Sequence, residues 1–165
     1  SVGFLSLAYL YYVIRDRLTC EFVMGPLWTR WQDQSINIDR DVFLRFLDEQ
    51  ALDYPVIKKW RELTRQRLAS QTLSSLRDFG LLKGIQKKQI QYFSVADETV
   101  YHLLCLLLAE GKAGMDLLEA PEWRILLFNE NDVIMALTRL AERQWIGFEK
   151  SGRTVMLSLL RWPEV

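Results

Sequence analysis

The chain has 165 residues, half of them hydrophobic, and its 21 basic side chains balance 21 acidic ones. That composition excludes a disordered chain, and the length allows a real core, burying about 70% of the unfolded surface without staples. The neutral total hides an uneven distribution: residues 1–57 carry −3, residues 58–91 carry +7, and residues 92–165 carry −4.

The chain opens on Ser1 rather than Met, which points to a processed, trimmed or incompletely represented N-terminus. The apolar run Val2 to Ile14 has no basic region before it and no small-residue cleavage site after it. It is shorter than the ~20 residues of a membrane span, and so is Val100 to Ala109. Both read as buried helices in a cytoplasmic protein with no transmembrane segment. Periodicity predicts one helix over 4–24, with Leu7, Leu10, Tyr11, Ile14, Leu18 and Phe22 on its apolar side and Gly25-Pro26 at its end. A short segment to about Trp31 and a polar loop follow. Asp39 suits the cap of a helix over 40–50 carrying Val42, Phe43, Phe46 and Leu47. Asp53-Tyr54-Pro55 breaks that helix, and Pro55 suits the first turn of a short one reaching about Arg61.

Thr64 is then placed to cap a helix over 65–79. Its apolar side is Leu68, Ala69, Leu73, Leu76 and Phe79. Arg67, Ser70, Gln71, Ser74 and Arg77 share the opposite stripe because the helix repeats every 3.6 residues. Gly80 ends the helix in a left-handed conformation. Gly84 to Val95 reads as a hairpin, with Lys87-Lys88 at its tip and Ile90, Tyr92 and Ser94 alternating in its second arm. The order helix, short helix, longer helix, hairpin over 39–95 is that of a winged helix-turn-helix. There the third helix enters the DNA major groove and the hairpin touches phosphates. Arg can bridge guanine, Gln can pair with adenine, and Ser adapts to either, while tip lysines neutralise phosphates. Nine basic residues against Glu62 and Asp78 over 58–91 suit a polyanion site better than a mixed solvated face. The candidate contacts are Arg61, Arg65, Arg67, Ser70, Gln71, Ser74, Arg77, Lys83, Lys87 and Lys88.

The pattern returns 64 residues later. Leu73, Leu76, Leu81 and Leu82 align without gaps with Leu137, Leu140, Trp145 and Ile146. Residues 96–110 supply an apolar helix, 115–127 add buried material around Trp123, and Asn129 or Asn131 can cap a helix carrying Val133, Leu137 and Leu140. A second hairpin follows, turning at Ser151-Gly152. Arg139, Arg143, Lys150 and Arg153 are its candidate DNA contacts, offset by Glu142 and Glu149.

No catalytic set emerges. His102 is the only histidine and reads as a satisfied core residue, which weakens any Ser-His or Cys-His pair. Cys20 and Cys105 read as small buried hydrophobes. There is no glycine-rich phosphate loop, so neither a metal nor a cofactor is expected. Trp28, Trp31, Trp60, Trp123, Trp145 and Trp162 read as core anchors.

The run Trp60-x3-Thr64-x3-Leu68-x7-Leu76-x3-Gly80-Leu81-Leu82 resembles the BrxA proteins of bacteriophage-exclusion (BREX) defence systems. So does what precedes it: Arg15-Asp16-Arg17-Leu18-x3-Phe22, Trp28-Thr29-Arg30-Trp31 and Phe43-x2-Phe46-Leu47. Trp123 and the Leu137 to Leu157 region continue the likeness. The resemblance implies a compact, mostly helical, non-enzymatic protein with helix-turn-helix elements that binds double-stranded DNA. It also implies antiviral defence beside partners that methylate or otherwise handle DNA. Carried over by position, the DNA-facing residues are Arg65, Arg67, Gln71, Ser74 and Arg77, backed by Lys87 and Lys88. Family members usually carry a further basic helical portion ahead of the segment matching Val2. Without it, a reduced DNA surface and weaker affinity are expected. Members often bear an inner-membrane label, which the hydropathy here opposes.

The expected architecture is therefore mainly α: a helical packing segment over 1–38, a winged-helix-like unit over 39–95, and a second helical unit over 96–165 ending in a hairpin. An interaction module that docks onto acidic surfaces of other defence proteins is the alternative function, since fold alone does not settle function.

Overall fold

The apolar run at the start does not make one long helix. α1 spans Val2–Arg15 and stops at Asp16, whose backbone is extended and whose carboxylate accepts from the Leu18 amide at 3.1 Å and the Thr19 hydroxyl at 2.8 Å. A side-chain acceptor there restarts a helix rather than continuing one. α2 (Arg17–Phe22) then runs through a π-helical turn, Val23–Leu27, into α3 (Trp28–Gln32). Gly25-Pro26 thus lies inside a helical path it was expected to end. Proline removes one amide and crowds the preceding turn, and the wider π turn relieves that crowding. The phase of the first helix also differs. Ser6, Tyr9, Leu10 and Val13 are buried, while Tyr11 and Ile14 are exposed. With almost every position apolar, periodicity had no contrast with which to choose a face.

The computed structural model describes residues 2–161, Val2 by its backbone alone, and Trp162 lies outside them. Among the described residues the chain is mainly helical, with a three-stranded and a two-stranded antiparallel sheet. It divides into two compact units. One is Val13–Phe93. The other is made from the chain's ends, up to Tyr12 and from Ser94 onward.

In the Val13–Phe93 unit, β1 (Asn37–Ile38) precedes α4 (Arg40–Asp53), which Asp39 caps by accepting from the Val42 amide at 3.1 Å. Val42, Phe43, Phe46, Leu47 and Ala51 are the buried side of α4. Phe22, Phe43 and Phe46 pack ring to ring, with centroids 4.8, 5.3 and 5.6 Å apart, a favourable tilted arrangement. Pro55 opens a 3-10 turn, Pro55–Lys59. α5 (Glu62–Asp78) begins three residues earlier than expected. Arg61 is its N-cap, no side chain caps it, and Thr64 lies within it. Ala69, Thr72, Leu73 and Leu76 are its buried set, spaced by three and four residues; Leu68 and Phe79 are half-buried. Gly80 (φ 94°) closes the helix: its amide bonds to the Arg77 carbonyl at 2.9 Å, and the Leu81 amide reaches Leu76 at 2.9 Å. This doubled bond around a left-handed residue satisfies carbonyls that helix ends leave orphaned.

β2 (Leu82–Lys83) and β3 (Lys88–Ile90) follow, and the sheet order is β1-β3-β2. Ile38, Leu82 and Ile90 are buried. β3 stops at Ile90, so the expected alternation fails beyond it: Tyr92 is exposed and Phe93 buried. Two residues are too few for β1 to leave a periodic trace in the sequence. It is held by pairing, with Arg30 donating to the Asn37 carbonyl and Gln89 to the Asn37 side chain.

In the other unit, Ser6 bonds to Thr99 at 2.7 Å, and the Tyr9 hydroxyl donates to the Ile125 carbonyl at 2.7 Å. α6 (Asp97–Ala109) and α7 (Gly114–Leu118) precede a 3-10 turn, Pro121–Leu126, which carries the buried Trp123, whose indole donates to the Leu117 carbonyl in α7. α8 (Glu130–Glu142) starts on a capping box, Asn129 with Asp132, and buries Val133, Ala136, Leu137 and Leu140. β4 (Ile146–Ser151) and β5 (Thr154–Leu159) form a hairpin whose two-residue turn is Gly152-Arg153, one position later than expected. Trp123 and Trp145 are buried as anchors; Trp28, Trp31 and Trp60 are only half-buried, as are Cys20 and Cys105. Among the described residues no helix is long and apolar enough to cross a membrane.

Candidate nucleic-acid interface

Because α5 turns its buried set inward, Arg67 and Gln71 stand exposed on the opposite side. Ser70, Ser74 and Arg77 are half-buried on its flank. That flank borders a groove of ≈ 680 Å³. The start of α4 (Asp39, Arg40, Asp41) and the β2–β3 turn (Ile85, Gln86, Lys88) bound it, with Ile38 and Leu73. Its charge is mixed, and two carboxylates weaken its attraction for a phosphate.

The positions expected to contact DNA separate by their partners. Arg65 is not a free cation: it reaches Asp48 of α4 at 2.8 Å and its side chain is 18% exposed. It sits on the α4 side of the helix, away from Arg67, and fixes α5 to α4. Arg77 meets its neighbour Asp78 at 3.4 Å. Lys88 was expected at the hairpin tip, but it is the first residue of β3, half-buried, and its ammonium donates to the Ile85 carbonyl at 2.7 Å. The turn itself is Gly84 to Lys87. Arg61, Arg67, Lys83 and Lys87 are exposed and make no ion pair among the described residues. Lys58 and Lys59 share that state; they lie in the basic segment but on the 3-10 turn ahead of α5, off its exposed stripe. Ile85 is exposed in the Gly84 to Lys87 turn, and a bulky apolar residue next to glycine in a turn is the sequence signal for it.

The second set is used internally. Arg139 and Arg143 both bond to Asp97, at 3.1 and 2.8 Å, and Arg143 also lies over the Trp145 ring, 4.1 Å from its centroid. Arg153 pairs with Glu119 at 3.1 Å, and Lys150 donates to the Gly152 carbonyl at 2.8 Å.

His102 is half-buried rather than a core residue, with Nδ1 2.8 Å from the Tyr11 hydroxyl. Burial lowers its pKa below the ordinary histidine value, the Arg161 charge adds to that, and Glu98 opposes it. Burial pushes the Cys105 thiol up, against a smaller effect of its hydrogen bond with Tyr101. A raised thiol pKa makes a poor nucleophile. Among the described residues no group of three or more His, Cys, Asp or Glu could hold a metal ion.

Neither the curated proteins nor the solved structures offer a match to this sequence. A protein-family model does: BrxA matches residues 5–104 of the 165, from α1 into α6, and so takes in α5 and both arms of the short hairpin. The chain belongs to the BrxA family.

Proposed function

We propose that this protein binds double-stranded DNA, with α5 as recognition helix and the β2–β3 hairpin as a wing. The observation that carries the reading is the set of exposed cations that make no ion pair among the described residues: Lys58, Lys59, Arg61, Arg67, Lys83 and Lys87. They cluster in sequence on the 3-10 turn, the start of α5 and the hairpin. The order helix, short strand, helix, helix, hairpin, with strands β1-β3-β2, supports a winged helix-turn-helix. In this reading Arg67 and Gln71 reach base edges, Ser70 and Ser74 adapt to them, and Lys83 and Lys87 neutralise phosphates. The protein acts by binding and catalyses no reaction. Family membership supports a role in bacteriophage exclusion; in this reading the protein works in the cytoplasm beside other defence proteins.

A second role attaches to the other unit, because its cations have internal partners. α8 exposes Asn131, Met135, Thr138 and Glu142, a face suited to docking a protein rather than a polyanion.

A fluorescence-anisotropy titration with duplex DNA across a salt series tests the reading. With about five phosphates neutralised, the slope of log affinity against log salt is about −4 to −5. No binding at low salt, or binding insensitive to salt, rejects it.

A further inference from the structure

Ile85 is 78% exposed at the tip of the β2–β3 hairpin. Turns of this kind draw on Gly, Asn, Asp, Ser and Pro, and a bare β-branched side chain there has no role in the fold's core. Two features define the turn that presents it. Gly84 has φ 98°, and a Cβ on it would collide with the Lys87 carbonyl, so only glycine is accommodated. The Lys88 ammonium ties back the Ile85 carbonyl at 2.7 Å. Lys83 and Lys87, both exposed, flank the apolar tip.

We propose that Ile85 is a wedge that enters the minor groove of duplex DNA and partly unstacks one base step, kinking the duplex. This rests on the reading of the chain as a duplex-DNA binder. An apolar tip between two cations matches the chemistry of a groove whose floor is base edges and whose walls are phosphates. Inserted aliphatic side chains bend DNA in this way. The ligand class that follows is duplex DNA with a flexible pyrimidine–purine step, TA or CA/TG, under the wing, because such steps unstack most readily. Lys88 and Gly84 are positioning residues for the wedge.

The experiment uses the full chain and duplexes of about 30 base pairs, dye-labelled at both ends, with a central TA step or a central A-tract. Energy transfer reports bending and anisotropy reports affinity. Expected for the unmodified protein is a rise in energy transfer on binding, larger for the TA duplex. Ile85→Ser binds roughly tenfold more weakly, the order of one base contact, with the salt slope unchanged and no rise in energy transfer. Ile85→Met, which keeps an apolar wedge, bends the duplex. Lys87→Ala lowers the salt slope by about one and retains the bend. The wedge is overturned if Ile85→Ser bends the duplex as the unmodified protein does, or if the unmodified protein binds without bending; both outcomes leave duplex binding intact. Absence of any duplex binding removes the wedge and the DNA-binding reading together.

Discussion

The two helix–hairpin segments, α5 with β2–β3 and α8 with β4–β5, end their helices in the same way. Around Gly80 the amides of Gly80 and Leu81 return to Arg77 and Leu76; around Gln144 the amides of Gln144 and Trp145 return to Ala141 and Leu140, at 3.0 and 3.1 Å. Both central residues are left-handed, φ 94° and 61°. The 64-residue repeat is therefore a repeated capping motif with a buried hydrophobic residue following it inward, Leu81 in one and Trp145 in the other. The segments differ in what surrounds the cap. The first carries Arg67, Lys83 and Lys87, which make no ion pair among the described residues, and a short hairpin braced by β1. The second carries six-residue strands and cations bonded to Asp97 and Glu119. A count of basic residues measures charge, whereas a surface field depends on which charges already have partners.

The largest expected effects test the shared packing. Leu76→Ala and Leu140→Ala each remove a fully buried leucine. Each should cost about 2–5 kcal/mol, read by chemical denaturation. A silent change at one site would show that the equivalence is only in sequence.

Charge reversal separates the segments next. Arg67→Glu should weaken duplex binding at least tenfold and flatten the salt slope by about one to two. Arg139→Glu should leave affinity unchanged and lower stability, since it places a second carboxylate against Asp97. Asp97→Asn sharpens the point: removing the shared counter-ion should raise non-specific DNA affinity if pairing is what silences this unit. Equal losses of affinity from Arg67→Glu and Arg139→Glu would erase the distinction.

Smaller effects come from the caps. Gly80→Ala forces a Cβ into a left-handed residue and should cost about 1–2 kcal/mol. Gln144→Gly relieves that strain against glycine's larger entropy loss, leaving a gain of up to about 1 kcal/mol. Paired melting curves check both signs.

The smallest effect is in pH. His102 is the chain's only histidine and lies in the unit that holds β4–β5. Its folded pKa is lowered, chiefly by burial, from the ordinary 6.5. The unfolded chain therefore takes up the proton first as pH falls, and stability declines below about 6.5 while remaining flat just above it. His102→Gln should remove that decline, and hydrogen exchange should localise it to α6 rather than to α4 or α5.

Much of this fold was legible because its signals are local. Asp39 caps α4, Asn129 caps α8, Gly80 ends α5, and the buried residues Ala69, Leu73 and Leu76 keep helical spacing. Signals failed where local rules compete or fall silent. Thr64 has cap chemistry but lies two residues inside α5 because Arg61 already provides the extended backbone. The first helix breaks at Asp16, whose carboxylate supplies a cap within an otherwise helical pattern, and Pro26 is carried by a π turn that no residue pattern announced.

By itself the sequence determined most of the periodic helices, the caps of α4 and α8 and the concentration of charge over 58–91, since helix and cap signals come from residues within about one turn of one another and net charge is a sum along the chain. Only the tertiary structure decided which charges remain available. Arg65 meets Asp48, 17 positions away, and Arg139 and Arg143 meet Asp97 across more than 40. Lys88 is drawn from the hairpin tip into bracing the turn, and Ile85 is left standing out of it. Pairing between residues distant in the chain is set by how the helices pack, and no local pattern records it.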